Sequence, residues 1–123
     1  MQIAKFKKGG GTITVEIRGG YAQPGSYSLF LWEANVNKIV LEAKGNFINT
    51  DDDKYSLPVP NEANNGRIID VGITFVLTPP INNYYGEVIV SQDGIVIGKD
   101  FQGGSSTDQT LSLKLLVKLE QEV

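Results

Sequence analysis

Alternation of apolar and polar residues with a period of two is the feature that most limits what this chain can become. In the stretch QTLSLKLLVKLEQ, Leu111, Leu113, Leu115, Val117 and Leu119 share one parity, and Thr110, Ser112, Lys114, Lys118 and Glu120 share the other. Side chains of an extended strand point alternately to opposite faces, whereas a helix gathers positions three and four apart. The leucine content would suit a helix, but the spacing predicts a strand with one buried face. Leu116 is the one apolar residue on the polar side. It is therefore a candidate for a second sheet contact or a subunit interface. If this strand lies at a sheet edge, its unpaired backbone groups can add a neighbouring subunit's strand.

The same pattern recurs along the chain. In GTITVEIR, Ile13, Val15 and Ile17 face one way and Thr12, Thr14, Glu16 and Arg18 the other. In RIIDVGITFVLT, Ile69, Val71, Ile73, Phe75 and Leu77 are the inward set of an expected central strand. SYSLFLWEA sets Tyr27, Leu29 and Leu31 against Ser28, Phe30 and Trp32. Both of its faces are apolar near the middle, which predicts burial on both sides and places Trp32 in the core. NKIVLEAK follows after a short polar turn and completes a hairpin. In YYGEVIVSQDGIVIGKDF two β-branched runs flank Asp93-Gly94, the pair favoured where a tight hairpin needs positive φ at both central residues. Glycine runs at Gly9–Gly11 and Gly103-Gly104 separate further strands. NEANNG after Pro60 has room for a single helical turn, stopped by two asparagines and a glycine. No other helix is expected.

The expected fold is all-β: one domain over residues 1–123, an antiparallel β-sandwich of about eight strands, with immunoglobulin-like or C2-like architecture as the nearest types. A chain of 123 residues, 41% hydrophobic and 20% charged, can bury a core without staples.

Composition then removes whole classes of chemistry. There is no histidine and no cysteine, so thiolate nucleophiles, disulfides and the usual zinc and iron–sulfur ligand sets are excluded, and the commonest general base is missing. Catalysis is not expected. Paired carboxylates of a glycosidase-like hydrolase are the remaining enzymatic route and stand third among the readings. A net charge of -3 opposes nucleic-acid binding, which needs clustered cations. The one basic run, Lys5, Lys7 and Lys8, reads as a solvated edge strand. No apolar run has the length of a membrane span, so no membrane insertion is expected, and with no signal-peptide pattern the default compartment is the cytoplasm.

Two groups remain as candidate sites. Asp51, Asp52 and Asp53 open the longest irregular stretch, about Asn46 to Arg67, and have the oxygen chemistry of a calcium site. Three consecutive aspartates cannot all converge in an extended chain, so a second loop would have to supply Asp93, Asp108, Glu62 or backbone oxygens. A solvated turn, with Lys54 as counter-charge, is the preferred alternative. Tyr84 and Tyr85 are adjacent in a strand and must face opposite ways, so one of them is a candidate for a ligand platform or an interface. The leading expectation is a non-catalytic structural or protein-interaction module whose partner is another protein or a second copy in a homo-oligomer. A ligand-binding module, calcium-assisted or carbohydrate-directed, is the alternative.

Overall fold

The structure, a computed structural model, describes residues 1–47 and 53–123. The described residues form nine strands: β1 (Gln2–Phe6), β2 (Thr14–Gly19), β3 (Gly25–Trp32), β4 (Ile39–Asn46), β5 (Lys54–Ser56), β6 (Ile68–Val76), β7 (Asn83–Gln92), β8 (Ile95–Ser105) and β9 (Thr110–Gln121). One turn of 3-10 helix at Asn61–Asn64 sits where NEANNG predicts it. The strands make two sheets, one of five in the order β1-β9-β6-β3-β4 and one of four in the order β5-β2-β7-β8. The fold is all-β, an open sandwich of two sheets.

The alternating segments place their apolar parity between the sheets. Leu29 of β3, Val71 of β6 and Leu115 of β9 form one cross-strand row, and Leu31, Ile69 and Val117 form the next. All six are buried. Val15 and Ile17 of β2 on the opposing sheet, with Ile13 just before that strand, are buried against them together with Val88 and Val90 of β7. Each such side chain contributes about 1.5–3 kcal/mol relative to exposure, so inner-face rows of this length dominate the fold's stability. The Asp93-Gly94 hairpin forms as its chemistry demands, with φ of 54° and 74° at the two central residues.

Three expectations are corrected. The stretch between Asn46 and Arg67 contains β5, which pairs with Val15 and its neighbours on β2. It brings the strand count among the described residues to nine. Pairing is not wholly antiparallel, because β1 lies parallel to β9, with Lys5 beside Glu120. Finally, Trp32 is not in the core. Tyr27, Leu29 and Leu31 take the inner face, leaving Phe30 and Trp32 half-buried on the outer one. There the indole Nε1–H donates to Asp70 Oδ2 at 3.1 Å, and a buried apolar face would have offered it no such acceptor.

At the β3–β4 end a polar clamp fixes the chain. Arg67 is buried, and donates from Nε and Nη2 to the two carboxylate oxygens of Glu33 at 3.1 and 3.0 Å and from Nη1 to Asn64 Oδ1 at 3.1 Å. This fork ties the end of β3 to the 3-10 turn.

Candidate functional site

Asp53 follows directly from its place beside β5. Its backbone carbonyl accepts the Ile17 N–H at 3.0 Å, which fixes the residue against β2. Its carboxylate Oδ1 accepts the Tyr27 hydroxyl at 2.7 Å, and that hydroxyl also touches the Tyr55 hydroxyl. The Tyr27 ring lies over Gly45 of β4, where any side chain would collide with it. The phenol is pushed well above the ordinary tyrosine range, first by burial and then by its bonds to Tyr55 and Asp53. Tyr27, Tyr55 and Asp53 thus form a structural seam between β3 and β5. Asp51 and Asp52 lie outside the described residues. Among the described residues no three acidic side chains gather to hold a metal ion.

The adjacent tyrosines separate as the strand period requires. Tyr84 turns inward, its ring centroid 6.5 Å from that of Phe75. Tyr85 turns outward and stacks on Phe101 of β8, with centroids 6.0 Å apart and planes at 29°. Its hydroxyl donates to Glu87 Oε2 at 2.7 Å, which raises its pKa, with burial the lesser cause. Lys99 Nζ sits 5.5 Å from the Phe101 ring centroid and 3.9 Å from Glu87. This is a small aromatic platform edged by charge, and Phe101 is 56% exposed. The sequence reading missed Phe101; the register Glu87 opposite Phe101 is what brings it to Tyr85's side.

Leu116 lies on the outer face of the five-stranded sheet, half-buried, in a row that runs Glu42, Phe30, Asp70, Leu116 across four strands. Its N–H donates to Asp100 Oδ2 of β8 at 3.0 Å, while Asp100 Oδ1 accepts the N–H of Phe101 at 3.0 Å. One carboxylate therefore bridges the edge of β8 and the edge of β9.

Open strand edges are the remaining places where a β-sandwich meets partners, and among the described residues β4 offers one. The β1 and β8 edges face each other. Gly98 of β8 packs so closely that a Cβ there would come within 2.7 Å of the Ala4 Cβ, and Asp100 spans the seam further along. β5 has only three residues. β4 has eight and, among the described residues, ends its sheet and pairs only with β3. The bond from Phe47 N–H to Gly25 C=O at 2.9 Å fixes which of its backbone groups are used. In an antiparallel ladder bonding directions alternate, so Ala43 and Gly45 point their N–H and C=O to β3 while Glu42 and Lys44 point theirs away. Both of these residues are exposed.

A cleft of about 440 Å³ adjoins this edge at the β3–β4 turn, lined by Trp32, Glu33, Asn35, Val36, Asn37 and Ile68. Among the described residues no helix is long and apolar enough to cross a membrane. The chain matches no protein-family model, no curated protein and no solved structure.

Proposed function

We propose that this protein is a non-catalytic interaction module of immunoglobulin-like or C2-like sandwich type that associates with itself by adding a strand at the edge of β4. The observation that carries the reading is the outward direction of the Glu42 and Lys44 backbone groups on an eight-residue strand without an outer neighbour among the described residues. Unpaired strand edges template the addition of another strand. The absence of histidine and cysteine from the sequence and its net negative charge support a protein partner over a substrate or a nucleic acid.

Light scattering over a range of concentrations tests it, with Lys44→Pro as the decisive variant. Proline removes an N–H that β4 does not use toward β3, so the fold tolerates it at an edge while a second strand loses its donor. Concentration-dependent association in the parent, abolished by Lys44→Pro, is the expected result. A strict monomer at every concentration refutes it.

A carbohydrate-directed module is the second reading, and the Tyr85–Phe101 pair is what favours it, since an exposed ring stacked on a half-buried one beside a carboxylate suits a sugar face. A glycan screen repeated with Phe101→Ala distinguishes it: binding lost with the ring supports the platform, and no binding to any glycan removes it.

A further inference from the structure

Building on the edge reading above, we infer that the partner strand is β4 of a second copy, run antiparallel about a two-fold axis at Ala43, so that Glu42 of each copy faces Lys44 of the other. Three facts carry this register. First, a regular antiparallel ladder can only match residues whose backbone groups both point outward, so Glu42 and Lys44 must meet residues of the same kind. Second, the charges on these two positions have opposite sign and share the outer face of the sheet, where Glu42 lies beside Phe30 and Lys44 beside Ser28. Of the registers centred nearby, an axis at Glu42 sets carboxylate against carboxylate and an axis at Lys44 sets ammonium against ammonium. Only the axis at Ala43 makes both pairs attractive. Third, the inner parity fits in the same register. Leu41 of one copy falls opposite Gly45 of the other, whose inner face is already covered by its own Tyr27 ring, and Ala43 meets its own symmetry mate, a small residue at the axis.

Edge charges commonly act as guards that repel a second sheet. A guard of a single sign would do so against a copy of itself. Glutamate and lysine two residues apart do the reverse in this register, and the isologous contact closes as a two-fold dimer rather than growing into a fibre. The outcome is one continuous sheet running across both copies, with the outer row Glu42, Phe30, Asp70, Leu116 repeated on the far side of the axis.

Charge reversal tests the register separately from the use of the edge. Glu42→Lys alone makes both cross-axis pairs positive, and Lys44→Glu alone makes both negative. Each weakens self-association by about tenfold, read by sedimentation over a concentration series, since each reversal turns two attractive cross-strand pairs into repulsive ones. An equimolar mixture of the two variants restores association, because lysine then meets glutamate at every position, and the doubly exchanged chain carrying both substitutions associates like the parent. Thermal melts of each variant confirm that the fold is kept. If Lys44→Pro abolishes association while neither reversal weakens it, the edge is used in another register and this inference is overturned. If the parent never associates, the edge reading falls with it.

Discussion

Replacing Tyr27 by phenylalanine isolates the seam between β3 and β5, because the ring stays and one oxygen leaves. The ring is 3% exposed and packs on Phe47 at a centroid distance of 5.6 Å, contacts that phenylalanine preserves. The hydroxyl loses its donation to the Asp53 carboxylate at 2.7 Å and its contact with the Tyr55 hydroxyl. A hydrogen bond to a charged group contributes about 1.5–3 kcal/mol net and a neutral one about 0.5–1.5 kcal/mol, with water at half-buried Asp53 recovering part, so the expected loss is about 2 kcal/mol. With an unfolding entropy of about 2.1 cal/mol/K per residue, a 123-residue chain then melts roughly 8 °C lower. Urea unfolding followed by the single tryptophan, Trp32, reads the change as a shifted midpoint at unchanged slope. The pH dependence adds a second signature. The folded phenol is held protonated above the pH at which an unfolded tyrosine, near 10, releases its proton. Its contribution is therefore complete below about pH 10 and is lost as the pH rises beyond it. The gap between parent and variant narrows above that pH. A loss below about 0.5 kcal/mol, or a gap independent of alkaline pH, would refute the assignment of Tyr27 as the seam's keystone.

Two further outcomes follow from the polar contacts. The Arg67 fork, and after it the Ala34 N–H, hold the Glu33 carboxyl below its reference value of 4.5, so its contribution is complete above that value and is lost as the pH falls through the lower folded one. Glu33→Gln is therefore less stable than the parent at pH 7, and the gap narrows as the pH falls below the ordinary carboxyl range, as urea midpoints along an acid series report. Asp100→Ala strips an acceptor from the N–H groups of Phe101 and Leu116 and costs about 1–3 kcal/mol, with Asp100→Asn recovering part; thermal melts and faster amide exchange at Leu116 check it.

Much of this architecture was legible in the sequence where one parity was apolar and the other polar. Ile13, Val15 and Ile17, the inward set from Ile69 to Leu77, and Leu113, Leu115, Val117 and Leu119 are buried as their spacing predicts. Asp93-Gly94 specified its turn through backbone sterics alone. Legibility failed where that contrast vanished. Both parities of β3 are apolar, so periodicity defined its two faces without saying which is inside, and Trp32 was placed wrongly. β5 is three residues of polar character and is held by its β2 partner, a long-range pairing that no local pattern encodes. The same limit hid the seam, since Tyr27, Asp53 and Tyr55 meet only once β3 and β5 face each other. Strand order, and with it the exposure of β4, is likewise a property of the assembled sheets. Glu42 and Lys44 gave no signal until their outward backbone direction was known.

Backbone amide exchange at Glu42 and Lys44 tests self-association through β4 most directly, because these N–H groups point away from β3. The account predicts that both exchange rapidly in dilute protein and become protected as concentration rises, while the β3-bonded amides of Ala43 and Gly45 stay protected throughout. Rapid exchange at Glu42 and Lys44 at every concentration would contradict it.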